Sequence, residues 1–200
     1  MQSNRSARQS KRAPRRPKSV AYSAAQTRII AAALELFAEH GVNGTSLQMI
    51  ADAIGVTKAA VYHQFNTKDE IILAVAEADL ARLEVAIEAA EAEPSRPRAL
   101  EVLLSQMIDL AVERRRTTGT YQGDPVMVRF LAGHKPFRLV MDRLYRLLAR
   151  DAGAGARVRA AAVSAAVGAV VMHPLVADLD DDALRTQLEH LAKSFARLLE

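Results

Sequence analysis

The chain of 200 residues contains no cysteine and no tryptophan, and only 4% of its residues are aromatic. The lack of cysteine excludes a disulfide framework and a thiolate metal site. No apolar run approaches the roughly 18 residues that a membrane-spanning helix needs, and the basic N-terminus lacks the apolar core of a signal peptide. From these absences we expect a soluble, cytoplasmic protein.

What the chain does contain favours helices. Half of its residues are hydrophobic, alanine and leucine are abundant, and apolar residues seldom alternate with polar ones. Such a composition predicts an all-α fold with enough apolar surface for a packed core. The apolar spacing, with glycine and proline as breaks, predicts helices over 24–40, 47–53, 58–65, from about 68 to Pro94, 99–116, 125–133, 136–151, 157–176 and 181–199.

The net charge of +4 is unevenly distributed, because residues 1–20 hold seven Lys or Arg and no acidic residue. With two prolines and no apolar pattern, this basic arm is expected to be disordered when free. Two interpretations stay open. The arm contacts DNA phosphates or a minor groove, or it is an inert solvated tail.

Residues 25–72 follow the pattern of a helix-turn-helix. An apolar stripe through Leu34 and Phe37 ends at Gly41, a second helix starts behind Thr45 and Ser46, and Gly55 precedes a third short helix. This arrangement holds one short helix so that its outer face can enter a DNA major groove.

The same segment resembles the DNA-binding domain of the tetracycline-repressor (TetR) family of bacterial transcriptional regulators. The resemblance lies in Leu36-Phe37, Gly41, Gly44-Thr45-Ser46, Ile50-Ala51, the run from Ile54 to Phe65, and Lys68-Asp69. It implies a three-helix head (21–68) joined by a long helix to a helical ligand-binding and dimerisation body (69–200). It further implies a regulator that binds a pseudo-palindromic operator as a dimer and is commonly a repressor released by a ligand.

The residues of the head divide by helical spacing. An apolar set at i, i+3 and i+4 spacing should form its core: Ile30, Leu34, Phe37, Ile50, Ala51, Ile54, Val56, Val61 and Phe65. A second set should contact DNA, on the outer face of the third helix, at the start of the second and at the start of the fourth: Thr57, Lys58, Ala59, Tyr62, His63, Thr45, Ser46, Gln48 and Lys68. The role of Lys68, a grip on the DNA backbone, comes from the family resemblance.

Single residues of this set have simpler interpretations as well. Tyr62 reads a base, or it is a partly buried ring whose hydroxyl meets a phosphate. His63 contacts DNA, or it is an ordinary solvated residue.

The body suggests a dimer interface and a ligand cavity. A small-residue face and a large apolar stripe on the last two helices predict the interface: Ala161, Ser164, Ala165, Gly168, Leu184, Leu188, Leu191 and Phe195. Apolar and amphipathic residues from several helices predict the cavity: Met107, Leu110, Tyr121, Met127, Phe130, Met141, Tyr145, Met172 and His173. For each of them the plain alternative is ordinary core, and His173 could simply cap its helix.

No metal site or cofactor is expected; the predicted partners are double-stranded DNA, a second copy of the chain and a small apolar or amphipathic effector of unknown identity. Two rival functions remain. An enzyme is disfavoured because no phosphate loop, metal spacing or nucleophile elbow appears. The acidic run Asp178–Asp182 could bind a cation, but it also suits the N-terminus of the last helix. A nucleoid-type protein that binds DNA without sequence preference is the second rival.

Overall fold

The computed structural model describes residues 22–115 and 124–199. Within these ranges the fold is all-helical, as predicted, with no strand. Its nine α-helices are α1 (Ala24–Gly44), α2 (Leu47–Ala53), α3 (Lys58–Gln64), α4 (Lys68–Glu91), α5 (Arg96–Glu113), α6 (Pro125–Gly133), α7 (Lys135–Leu148), α8 (Ala154–Val170) and α9 (Asp181–Leu199). The basic arm and Tyr121 lie outside the described residues.

Side chains with a hydroxyl group cap the N-termini of the first four helices. Ser23 forms a capping box with Gln26 at the start of α1, and Ser46, Thr57 and Thr67 each accept a backbone N–H at the start of α2, α3 and α4. Each cap satisfies one of the free N–H groups of a helix N-terminus. These local bonds explain why the N-terminal boundaries of the head were predictable.

The C-terminal end of α1 differs from the prediction. The helix was expected to stop before Gly41, but helical hydrogen bonding resumes after that residue and continues to Gly44. Gly41 itself has a φ of +72° and a ψ of 164°, a non-helical conformation that favours glycine, so the regular helix does stop at Gly41 and a further turn follows the kink.

Several boundaries in the body also differ. α5 begins at Arg96, because Pro97 lies in its first turn, where a proline costs no hydrogen bond. α7 ends at Leu148, three residues early. α8 ends at Val170, and a separate 3₁₀ turn, Pro174–Val176, follows it, because a proline cannot donate to the preceding helical turn.

Buried apolar residues form three clusters. The first belongs to the head and the start of α4, the second lies among α4, α5, α7, α8 and α9, and the third joins α5, α8 and α9. In the head, Leu34 and Phe37 of the predicted α1 stripe are buried, while Ile30 is only partly buried and its neighbour Ile29 is buried. No helix in the described ranges is long and apolar enough to cross a membrane.

The core of the head is completed by α6. Met127 and Leu131 are buried in the same cluster as Phe37 and Val61, although they lie more than sixty residues further along the chain. The head therefore does not close its apolar core with residues 21–68 alone.

One carboxylate connects α6 to the kink of α1. Asp124 is the N-cap of α6, where its Oδ1 accepts the N–H groups of Val126 at 2.7 Å and Met127 at 3.2 Å. Its Oδ2 accepts the N–H of Val42 at 2.6 Å, directly after Gly41. The two carboxylate oxygens thus connect α1 and α6 at the boundary between head and body.

The pKa of Asp124 reflects this position. Burial alone would raise the pKa, because it disfavours the charged form. Hydrogen bonds from the three backbone N–H groups, with the charge of Lys68 nearby, outweigh burial and hold the pKa of Asp124 below its ordinary value. The ionised carboxylate is therefore the form that stabilises the fold.

The variant Asp124→Asn should lower the free energy of unfolding by about 2 kcal/mol at neutral pH. Asparagine keeps one acceptor oxygen but places an NH₂ donor where the other oxygen was, so one of the two connections breaks. A lowered folded-state pKa adds stability that is present above the unfolded pKa of about 3.9 and lost as pH falls through the folded value. Urea denaturation should therefore show the difference from wild type shrinking below about pH 4. A difference that is constant with pH, or equal to that of the exposed control Asp178→Asn, would contradict this role.

Candidate nucleic-acid interface and effector cavity

A glycine turn sets the angle between α2 and α3. Gly55 has a φ of +69°, and the N–H of Val56 donates to the carbonyl of Ala51 at 3.0 Å. A Cβ at position 55 would meet nothing within 4 Å, so the backbone conformation alone calls for glycine here. The turn ends at Thr57, whose hydroxyl caps α3.

The outer face of α3 is open to solvent. Val61 is the buried residue of this helix. All five positions predicted to contact DNA on α3 are exposed: Thr57, Lys58, Ala59, Tyr62 and His63. The structure places them together on one accessible surface, and their contact with DNA stays a prediction.

Lys58 and Tyr62 are neighbours on that surface. The Nζ atom of Lys58 lies 5.8 Å from the centroid of the Tyr62 ring, which is within the range of a cation–π contact. Tyr62 is 46% exposed, so its ring is partly buried and its hydroxyl is accessible, which fits both interpretations. The pair presents a positive charge and an aromatic hydroxyl at the start of α3.

The start of α2 offers two further exposed positions. Ser46 caps the helix by accepting the N–H of Met49 at 3.2 Å. Gln48 donates its side-chain N–H to Asp52 Oδ1 at 2.7 Å, one turn along the same helix. Both side chains are engaged within α2, so a phosphate at this helix start would compete with these bonds.

The position of Thr45 argues against the prediction that its side chain contacts DNA. Its residue is only 2% exposed, and its hydroxyl lies 2.9 Å from the carbonyl oxygen of Gly41 and 3.0 Å from that of Leu36. The side chain therefore satisfies carbonyl groups at the end of α1 and cannot reach a phosphate. The cap oxygen of α2 comes from Ser46 alone.

Lys68 lies at the head–body boundary. Its ammonium donates to the carbonyl oxygens of Val42 at 2.6 Å and Thr45 at 3.0 Å. A lysine ammonium has three N–H donors, so these two bonds leave one. The structure gives Lys68 a positioning role that sequence spacing did not reveal, and a phosphate contact by it stays a prediction.

A cavity of about 550 Å³ lies in the body, between α4, α5, α7 and α8. Its lining is mostly apolar, and Leu131 of α6 adds one wall residue. The charged lining residues among those described are Asp79 and Arg114, with Asp79 Oδ1 2.8 Å from a guanidinium nitrogen of Arg114. The contact is Coulombic, because the buried Oδ1 receives no well-aligned hydrogen bond within the described residues.

The structure brings four of the nine predicted cavity residues together: Met107, Leu110, Met141 and Tyr145. Met127 and Phe130 pack in the head cluster instead, because α6 turns towards α1. Met172 is 41% exposed beyond the end of α8. His173 accepts the N–H of Leu175 at 3.2 Å and so caps the 3₁₀ turn, outside the lining.

Asp79 and Arg114 were missed, although the sequence carries a signal for them. Asp79 stands on the α4 stripe of Ala76, Leu80 and Leu83, at spacing i, i+3, i+4 and i+7. Arg114 ends the equivalent α5 stripe that begins at Met107. A single charge on an otherwise apolar helical stripe indicates a buried polar partner, and here the two stripes supply one for each other.

The acidic run before α9 is used structurally. Asp180 Oδ1 accepts the N–H of Ala183 at 2.7 Å, while Asp181 and Asp182 pair with Arg115 and Arg185. Across residues 22–115 and 124–199, no three His, Cys, Asp or Glu side chains are grouped as a metal site requires.

Comparison with known proteins shows which family the N-terminal part of the chain resembles. Residues 29–75 match the profile of the bacterial regulatory proteins of the tetR family. The transcriptional repressor AcnR of Corynebacterium efficiens is 36% identical over 55 residues, which are 28% of this chain and 29% of that protein. Over residues 29–75, the chain is therefore similar to the tetR family of bacterial regulatory proteins.

Solved structures of tetR-like regulators share the fold over most of the chain. The ketosteroid regulator KstR2 of Mycobacterium tuberculosis superposes with a TM-score of 0.69 at 15% identity, covering 88% of this chain and 95% of that one. FadR of Bacillus subtilis, solved with stearoyl-CoA, gives 0.65 at 18% identity, covering 86% and 96%. Sequence similarity to AcnR, in contrast, spans less than a third of that relative's length.

The predicted dimer face is divided between core and surface. Leu184 and Leu188 are 2% and 3% exposed, because they pack on α5 and α8 within the same protomer, so they cannot also face a second copy. Gly168 is buried, while Ser164 and Phe195 are half-buried. Ala161, Ala165 and Leu191 remain exposed, and the first two also line the cavity.

The variant Thr45→Val should lower the free energy of unfolding by about 1 to 2 kcal/mol, because it leaves a buried carbonyl of α1 without its donor. Any loss of DNA affinity should follow the fraction of folded protein. Urea denaturation and DNA titration of the same samples measure both quantities. Unchanged stability with lost DNA affinity would instead show that the hydroxyl touches DNA. The matched control is Thr186→Val, which makes the same change at an exposed hydroxyl of α9 and should leave DNA affinity unchanged.

Proposed function

We propose that this chain is a sequence-specific DNA-binding transcriptional regulator of the tetR family. It binds a pseudo-palindromic operator as a homodimer and is released by a small apolar or amphipathic effector. The observation that carries the proposal is the outer face of α3. Its exposed side chains stand on a helix that Val61, the Gly55 turn and the Thr57 cap hold in one orientation. A rigid short helix with an exposed polar face is what major-groove reading requires.

Repression is the direction of control that the relatives favour, since AcnR is named a transcriptional repressor. A regulator of this kind acts where the chromosome is, so a bacterial cytoplasmic location belongs to the same proposal. The regulatory chemistry described here uses no metal or cofactor; the signal is the effector.

A second copy of the chain is proposed to cover the exposed apolar residues of α8 and α9. Val158 is 67% exposed, Leu191 42% and Leu198 49%. A symmetric pair of reading helices doubles the contact area and matches the symmetry of a pseudo-palindromic site.

The cavity is proposed to hold the effector. Its volume and its apolar lining with few polar groups suit a small organic ligand. Leu131 lines the cavity and is also buried in the head cluster, so a ligand that displaces this wall acts directly on the packing of the head. FadR of Bacillus subtilis, which has the same fold, was solved with stearoyl-CoA.

The variants Lys58→Ala and Tyr62→Ala should each weaken operator binding at least tenfold, because a specific base or phosphate contact contributes about 1 to 3 kcal/mol and is lost in both protomers. Selection from a random duplex library would supply the operator, and titration would measure affinity. Circular dichroism should show both variants folded, because both side chains are exposed.

The exposed Lys193→Ala on α9 is the matched control, and it should bind like wild type. If both α3 variants bound the operator with unchanged affinity, the assignment of this face to DNA binding would be contradicted. A selection that yields no preferred sequence would favour the non-specific nucleoid-type alternative.

The double variant Leu191→Glu/Leu198→Glu should shift the protein from dimer to monomer at micromolar concentration, because it places charges on an apolar interface. Sedimentation velocity measures the change. The control Val128→Glu, which alters an equally exposed apolar residue of α6, should remain dimeric. A wild-type protein that sediments as a monomer at this concentration would contradict the proposed homodimer.

A further inference from the structure

A second groove, lined mainly by α7, lies beside the proposed effector cavity. The groove also has a volume of about 550 Å³, and it is lined by Ala132, Lys135, Phe137, Arg138, Leu139, Met141, Asp142 and Tyr145. Three of these residues, Phe137, Met141 and Tyr145, also line the inner cavity. They stand at i, i+4 and i+8, so one stripe of α7 is the shared edge between the two chambers.

The inner chamber, which is the cavity between α4, α5, α7 and α8, suits an uncharged part of a ligand. Its charged lining residues in the described chain, Asp79 and Arg114, lie within 2.8 Å of each other and so offset each other's charge. A charged ligand group placed there would have to separate this pair in an apolar surrounding, which is unfavourable. The inner chamber therefore selects for apolar surface.

The outer groove has a different character. It is lined by two cations, Lys135 and Arg138, and one anion, Asp142. Neither cation has a carboxylate within 4.0 Å in the ranges that the structure describes. Both are exposed, and both lie within the first turn of α7, where the helix dipole adds positive potential. With two cations and one anion, the groove carries one excess positive charge, which a negative ligand group would neutralise.

We propose that the effector is an anionic amphiphile. Its apolar tail fills the chamber between α4, α5, α7 and α8, crosses the α7 stripe of Phe137, Met141 and Tyr145, and places a carboxylate or phosphate head group on Lys135 and Arg138. The proposal rests on the proposed function in one respect only, namely that the cavity is the effector site. It adds the sign of the charge and the end of the ligand that carries it.

The test measures binding by isothermal titration calorimetry on the full chain without DNA, so that a failure to bind DNA cannot affect it. Four ligands with one ten-carbon chain serve as probes below their micelle concentrations: decyl phosphate, decanoate, decanol and decyltrimethylammonium. Decyl phosphate and decanoate should bind roughly fivefold or more tightly than decanol, because each exposed charge pair contributes a modest amount. The advantage should shrink as salt screens the head group.

Two double variants and one single variant separate the contribution of the ligand's charged head group from that of its apolar tail. Lys135→Glu/Arg138→Glu should abolish the preference for the anions and leave the affinity for decanol unchanged. The control Arg129→Glu/Arg157→Glu makes the same change of charge at exposed positions outside both chambers, and it should keep the preference. Leu110→Trp, which adds bulk inside the cavity, should weaken all four ligands to a similar extent.

Equal affinity for all four probes would overturn the proposal, and so would an anion preference that survives the charge reversal at positions 135 and 138. A preference for the ammonium probe would overturn it as well, because it would place the charged head group near Asp142 and not near the two cations. Unchanged binding to Leu110→Trp would show that the tail lies outside the cavity.

Discussion

The carboxylate of Asp124 is the contact on which the arrangement of head and body depends. One oxygen starts α6 and the other accepts the N–H of Val42 behind the Gly41 kink. Lys68 donates to the carbonyl of the same Val42, so both polar groups of this residue are fixed by side chains from elsewhere in the chain. A buried backbone group without a partner is costly, and this residue therefore ties α1, α4 and α6 into one unit.

The head carries few positive charges, and the contacts of this unit show how some of them are used. Two of its basic side chains are used within the protein. Lys68 holds the end of α1, and Arg28 donates to the carbonyl of Ile54 at 3.0 Å, beside the Gly55 turn. These bonds fix the orientation of α3 and leave Lys58 as the exposed cation on its outer face. Under the proposed function, the second copy supplies further electrostatic attraction.

The same packing links the effector cavity to the head. Leu131 belongs to the cavity wall and to the core of the head, and Phe137 packs against both the head cluster and the central cluster of the body. Close-packed interiors transmit displacements, because side chains have little free volume to absorb them. A tail that pushes these two residues outward therefore changes the support beneath α3 without touching DNA, provided that its own binding favours the displaced state.

The sequence by itself determined the local features: the Ser and Thr caps, the Gly55 turn, the apolar faces of α1 to α3 and the exposed positions of α3. These features depend on interactions within about four residues, which spacing and residue type report directly. Tertiary structure decided the rest. Thr45 looked like an exposed cap, but α1 covers it, and Leu184 and Leu188 looked like an interface, but α5 and α8 cover them. Asp124 meets Val42 across 82 positions, and Asp79 meets Arg114 across two helices. A periodic pattern shows that a face is apolar or charged, but only the packing of distant helices decides which face meets which, because those contacts join residues that no local rule relates.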